Sequence, residues 1–155
     1  MTNFSYQYRF RQPFRAPARA AFEWATDFRP TDAAFFGDRR RRVVQRLTSD
    51  TLLLTDTTVS AGRSQRIARL VRVAPEELSW TNTHVSGPYR HSQFWYRIEA
   101  DGPRRSHLDF RGLKIEHRTR APAASEIRRL RAANLASDST LWRRRLAPAL
   151  EADLG

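Results

Sequence analysis

The chain has 155 residues, 40% of them hydrophobic and 11% aromatic, which is enough to bury a core in a single domain over 1–155. It has no cysteine, which excludes disulfides, thiolate metal sites and a cysteine nucleophile. Its formal net charge of +12 raises nucleic acid, anionic lipid or an anionic ligand as partners. Lys114 is the only lysine, however, and the arginines are spread along the chain. Their runs at Arg39–Arg42, Arg128/Arg129/Arg131 and Arg143–Arg145 match no nucleic-acid motif. Solvated faces are the better reading of these runs, and nucleic acid is disfavoured as a partner. MTNFSYQYRF has no apolar leader core and no run approaches a membrane span, so the expectation is a soluble, cytoplasmic protein.

In chain order, FSYQYRFR (4–11) alternates strictly, with Phe4, Tyr6, Tyr8 and Phe10 on one face, and predicts a half-buried strand. Pro17 suits the first turn of a short helix with an apolar stripe of Phe22, Ala25 and Phe28, which Pro30 ends. PTDAAFFG (30–37) predicts a second short helix or turn closed by Gly37. From 39 to 118 the period is two. It predicts strands at about 40–48, 51–60, 64–74, 78–86, 91–100 and 106–117, separated by turn residues such as Gly62-Arg63, Pro75-Glu76-Glu77 and Asp101-Gly102-Pro103. Short connections make this an antiparallel meander. Beyond Ala121-Pro122 one long helix is predicted, with Ser125 as its cap. One stripe is Ile127, Leu130 and Leu141, and the other is Leu135, Trp142, Leu146 and Leu150. Ser137-Asp138-Ser139 should loosen its middle and Pro148 should kink its end. The class is α+β, with the terminal helix covering the apolar face of a curved sheet.

The turns also set a register. A two-residue Gly62-Arg63 turn pairs Leu54 with Val71, Leu52 with Val73, Asp56 with Arg69 and Thr58 with Ile67. The next turn pairs Val71 with Trp80, Arg69 with Asn82 and Ile67 with His84. The later hairpins pair Trp80 with Tyr96, Asn82 with Phe94, Tyr96 with Phe110 and Ile98 with Leu108. On the opposite face Arg97 meets Asp109 and Glu99 meets His107, which are favourable cross-strand pairs. One face then runs from an apolar end, with Trp80, Tyr96 and Phe110, to a polar end with an Asp56–Arg69–Asn82 chain and, one row further, His84. Either the helix seals the apolar rows and the rest is wet, or the last rows line a ligand cavity among sheet, helix and the short helices at 18–36. The gradient leaves both open.

Two stretches carry a family resemblance. FRAPARAAFEWATDF resembles the "APxxxVWxxxTD"-like stretch after the first strand of the START-like (SRPBCC) superfamily, in its polyketide cyclase/dehydrase and lipid-transport branch. SDSTLWRRRLAPALEADL is similar to the end of that family's last helix, where small residues precede "LxxLKxxLE". The resemblance implies a helix-grip: a seven-stranded curved antiparallel sheet wrapped around a long C-terminal helix, two short helices between the first and second strands, and a deep apolar cavity. It also implies binding of lipids, sterols, polyketides or similar molecules, with cyclisation in some members. The family has no universal catalytic motif, so it assigns no site residue here.

The histidines at 84, 91, 107 and 117 lack ligand spacing, so metal binding is disfavoured, and His107 opposite Glu99 reads as a surface pair. No phosphate loop, nucleophile elbow or dinucleotide fingerprint is present, and no cofactor is expected. His84 titrates near neutrality, and Asp56 or Arg69 suits a ligand carbonyl or carboxylate, although a structural ion pair is the plainer reading of those two. Tyr6 and Tyr8 suit a pocket wall or the core. The candidate ligand-binding residues are Asp56, Arg69, Trp80, Asn82, His84, Phe94, Tyr96 and Phe110, and the candidate catalytic residues are His84, Asp56 and Arg69. The leading expectation is binding or transport of a small hydrophobic ligand, one with an anionic or carbonyl group, between sheet and terminal helix. The alternative is a polyketide cyclase/dehydratase-type enzyme working in the same cavity. A charge-driven interaction with nucleic acid or an anionic surface, the third reading, would weaken steeply with salt.

Overall fold

The computed structural model describes residues 2–37 and 39–155, Ser60 by its backbone alone. Its strands are β1 (Thr2–Phe14), β2 (Arg40–Arg46), β3 (Thr51–Ser60), β4 (Arg63–Ala74), β5 (Ser79–His84), β6 (Gln93–Gly102) and β7 (Arg105–Arg118). Helix α1 (Ala18–Ala25) and a 3-10 helix at Pro30–Phe36 lie between β1 and β2. The C-terminal helix runs through α2 (Ala124–Leu141), a π turn at Trp142–Leu146 and α3 (Ala147–Leu154). One seven-stranded antiparallel sheet has the order β1-β7-β6-β5-β4-β3-β2, so a meander from β2 to β7 is completed by β1 pairing with β7. This is the α+β order that the sequence pattern predicts and the helix-grip that the resemblance implies. Among the described residues no helix is long and apolar enough to cross a membrane.

The alternation of β1 sends Tyr6, Tyr8 and Phe14 into the core and leaves Arg9 and Arg11 exposed. At the packed end of the concave face Trp80 stacks flat on Tyr96, with ring centroids 4.8 Å apart. Phe22 of α1 lies 6.0 Å from Trp80, and Trp142 lies 6.3 Å from Tyr96 and 6.1 Å from Phe14. Leu52, Val71, Ile98, Leu108, Phe110, Leu146 and Leu150 are buried with them. Full burial of a leucine such as Leu108 or Leu150 stabilises by about 1.5–3 kcal/mol.

The later pairings stand as predicted: Trp80 opposes Tyr96, Asn82 Phe94, Tyr96 Phe110, Ile98 Leu108, Arg97 Asp109 and Glu99 His107. The two earlier hairpins are each displaced by two residues. The β3–β4 turn is Ala61-Gly62, with φ of 51° and 72°, closing on the pair Ser60–Arg63. A two-residue hairpin needs positive φ at both central positions. Leu52 therefore opposes Val71, Leu54 opposes Arg69 and Asp56 opposes Ile67. Between β4 and β5, Leu78 leaves the ladder at φ 51° after a 3-10 turn at Pro75–Glu77. Val73 then opposes Trp80, Val71 Asn82 and Arg69 His84. A slip of two keeps every side chain on its face, so the alternation that fixes the faces cannot detect it.

The terminal helix also departs from expectation in detail. Its N-cap is Ala123, without a side-chain hydrogen bond, and not Ser125; the stretch 137–139 stays helical. The π turn ends two residues before Pro148, and this local widening accommodates the proline within a continuous helix. Trp142, Leu146, Ala147 and Leu150 are buried, whereas no residue of α2 is.

Candidate functional site

Helix α2 rests on β1 and β7 through a polar seam. Tyr8 donates to Asp138, Tyr6 donates to Glu116 at 2.7 Å, and Asn134 Nδ2 donates to the Tyr6 hydroxyl at 2.8 Å. Lys114 Nζ donates to Asn134 Oδ1 at 2.8 Å and lies 3.9 Å from the Tyr89 ring centre. Arg118 donates to both Glu116 and Glu126. Positions 126, 130, 134 and 138 recur every four residues and so share one helix face. Burial pushes the Asp138 carboxyl above the usual carboxylate range, although the Tyr8 hydrogen bond and the Lys114 charge oppose the shift. Burial lowers the Lys114 ammonium, against the pull of Asp138 and Glu116. The Tyr8 hydroxyl is raised, first by burial and then by the Asp138 carboxylate.

Gly112 stands between Tyr8 and Phe94 in the ladder, and a Cβ there would lie 2.9 Å from Tyr8 Cζ and 3.2 Å from Phe94 Cδ1. Glycine lets the two rings close over the strand.

Across the face, β4 and β5 set Arg69 opposite His84, with Asn82 one inward position along β5 beside Phe94. The His84 and Phe94 rings lie 5.4 Å apart. Burial, reinforced by the Arg69 and Lys114 charges, pushes the His84 imidazole down to about 3, so it is neutral at pH 7. Burial likewise lowers the Arg69 guanidinium and raises the Tyr96 hydroxyl. Arg69 Nε, Asn82 Oδ1 and His84 Nδ1 are buried atoms with no hydrogen-bond partner. A buried polar atom left unpaired costs about 1–3 kcal/mol, so three on adjacent strands need a reason. These residues, Lys114 and the sheet-facing Asn134, Leu135, Asp138 and Leu141 of α2 are all half-buried, and the helix does not seal this end.

Asp56 has a different setting. Arg42, directly opposite on β2, donates to it through Nε at 2.8 Å and Nη2 at 3.0 Å, with Arg69 at 3.3 Å and Arg40 at 3.6 Å. Burial would raise its carboxyl, but the Arg42 hydrogen bonds and the charges of Arg69, Arg42 and Arg40 hold it below the usual range. The Arg39–Arg42 run is therefore no uniform solvated face: Arg42 turns inward, and Arg40 and Arg42 both lie over Phe36. The expected Asp56–Arg69 contact is present, but on a diagonal, and the chain of polar contacts stops short of Asn82.

Of the sequence-predicted residues, Arg69, Asn82 and His84 come together at the open end, with Phe94 at its floor. Trp80, Tyr96 and Phe110 belong to the packed aromatic cluster, and Asp56 is enclosed by arginines. Sequence reasoning missed Lys114, Asn134, Asp138 and Arg42 as site residues, and it weighed Tyr8 only as a pocket wall or core residue. The polar residues at four-residue spacing in a helix assigned to cover a sheet were the available signal. Two surface clefts, lined by Gln12, Arg15 and Glu151 together with Ala147 or Asp101, lie at the other end of the terminal helix and contain none of these residues. They are wide and open, and the unpaired buried atoms mark the chemically informative place better than surface concavity does.

No family model and no curated protein matches the sequence. Solved structures do. The Zhui aromatase/cyclase from Streptomyces sp. R1128 has a TM-score of 0.74 at 12% identity, over 97% of this chain and 94% of that one. The di-domain ARO/CYC BexL has a TM-score of 0.68 at 12% identity, over 98% of this chain and 50% of that one. Norcoclaurine synthase from Thalictrum flavum, in complex with dopamine and hydroxybenzaldehyde, has a TM-score of 0.64 at 9% identity, over 96% of this chain and 86% of that one. At such identities the likeness is one of fold: the chain shares the helix-grip fold of these structures.

Proposed function

We propose that this protein binds a small, largely apolar ligand bearing an anionic or carbonyl oxygen, held at the open end of the concave face. The observation that carries the reading is the unpaired trio of Arg69 Nε, Asn82 Oδ1 and His84 Nδ1, flanked by the Lys114 cation and the Phe94 ring. Arg69 and Lys114 attract an oxygen anion, Asn82 and neutral His84 orient the rest, and the aromatic wall receives the apolar part. Anilinonaphthalene sulfonate, an apolar anion, is the probe. One molecule should bind per chain, and Lys114→Met should weaken it roughly tenfold, the scale of one charge-assisted contact. Binding that ignored Lys114→Met and Arg69→Met alike would overturn the reading. An anion beside Arg69 and Lys114 also offsets the charges that add to burial in depressing His84, so the probe should bind more tightly as pH falls toward about 3, where the imidazole of the free protein titrates.

A second reading has its own observation: neutral His84 and Asp138, whose carboxyl burial raises, belong to the same end of the face. A neutral imidazole accepts a proton, and a carboxyl whose proton affinity burial raises is suited to pass one on, which fits a cyclase or dehydratase acting on a polyketide-like substrate, with Arg69 on a carbonyl. The fold likeness to the Zhui aromatase/cyclase supports it at that level. Unchanged turnover of a polyketide substrate by His84→Ala would rule out the role given to the imidazole.

A further inference from the structure

The convex face carries a second cluster. Glu99 and Asp101 on β6 and His107 and Asp109 on β7 alternate with the core residues Ile98, Leu108 and Phe110, so they point away from the concave site. The sequence reads His107 as a surface pair with Glu99, but the residue is only 6% exposed. Its Nδ1 lies 2.7 Å from Asp101 Oδ2. A carboxylate there makes Nδ1 the protonated nitrogen of a neutral ring and turns the Nε2 lone pair the other way. Nε2 is buried without a hydrogen-bond partner, and faces Glu99 Oε2 at 3.6 Å and Asp109 Oδ2 at 3.5 Å.

We propose that His107 Nε2, Glu99 and Asp109 form a binding site for a divalent cation of the zinc type, with Asp101 as the positioning residue. Ligand atoms from the three residues all lie within 4.8 Å of one another. Two ligands each about 2.1 Å from a tetrahedral zinc stand about 3.4 Å apart, close to the two separations from Nε2. Arg11 Nε donates to the second oxygen of Asp109 at 3.2 Å, and the Arg97 guanidinium stands near that of Glu99, with Nε 3.6 Å from Oε1. The arginines thereby orient the carboxylates as outer-shell partners orient ligands in metal sites. With the Glu99 side chain 45% exposed and that of Asp109 35%, water has access to the fourth position. The motif is hidden in sequence because each strand supplies two residues at a spacing of two, and only the hairpin register joins them.

The test is calorimetric titration of zinc chloride into the chelator-stripped full chain, with divalent cobalt as a spectroscopic reporter of tetrahedral geometry. One equivalent should bind with micromolar affinity, zinc should raise the unfolding temperature, and Asp101→Asn should weaken binding about 10- to 100-fold. The double variant Glu99→Gln/Asp109→Asn changes only partly exposed carboxylates and should lose the cobalt bands while keeping the fold. Two results would overturn the site: no zinc bound by the unaltered chain, which leaves His107 an ion-paired imidazole, or equal binding by the double variant, which moves the metal to other groups such as the His91/His117 pair.

Discussion

At one end of the concave face Trp80 lies flat against Tyr96, and Phe22 and Trp142 close over the pair. Further along β5, Asn82 and His84 carry buried atoms that bond to nothing, and the helix above them has no buried residue. The same curved sheet makes both ends. The difference lies in what crosses it: α3, the π turn and α1 bring aromatic and aliphatic side chains, whereas α2 brings Asn134 and Asp138 among its half-buried leucines. The packed end contributes stability through burial. The open end spends some of it on desolvated polar groups, an arrangement that natural proteins keep where a site is needed.

Substitutions at the two ends should therefore separate stability from binding. The largest effect is expected at the buried ion cluster behind the open end. Asp56→Ala leaves Arg42 buried without its partner and should cost about 3–5 kcal/mol of unfolding free energy by denaturant titration. Leu150→Ala, at the packed end where the side chain is fully buried, should cost about 2–5 kcal/mol while probe affinity stays near its normal value. Loss of probe binding in Leu150→Ala at temperatures where it is folded would break the comparison.

The pH dependence is next in size. In the unfolded chain His84 takes up a proton near pH 6.5, but in the folded chain only near about 3. Between these values the unfolded state binds the extra proton, so the contribution is complete above pH 6.5 and is lost as pH falls through the window. By about pH 4 the loss is on the order of 3 kcal/mol. His84→Gln should flatten this part of the stability profile, and identical slopes for both proteins would contradict the burial assigned to the imidazole. Gly112→Ala should cost about 1–3 kcal/mol, because its Cβ has to displace the Tyr8 and Phe94 rings. Its sharper signature is a disturbed Tyr8–Asp138 hydrogen bond, read from the Tyr8 ring resonances.

Much of this was legible in the sequence. The period of two in Phe4–Tyr8 and in 91–117, the turn residues between runs, and the helical stripe ending in Leu150 fixed the elements, their faces and the pairing of the last three strands. Arg69, Asn82 and His84 were identifiable as polar residues on an otherwise apolar face. Their actual neighbours were not. Moving one turn from Gly62-Arg63 to Ala61-Gly62 displaces β3 by two residues, and Leu78 in the left-handed region displaces β4 and β5 by two more. Each displacement costs nothing in facial pattern, yet together they exchange Val71 for Arg69 beside Leu54 and bring His84 opposite Arg69.

Local periodicity and turn chemistry were enough to give the order of strand, short helices, antiparallel meander and long helix, the two faces of the sheet, and the gradient from apolar to polar along one of them. Which polar groups meet was settled by the packing of distant segments. Arg42 closes on Asp56, Asp138 reaches Tyr8, and His107 finds three carboxylates, because such contacts depend on register and on where the helix crosses the sheet, and both are set by distances between segments far apart in the chain.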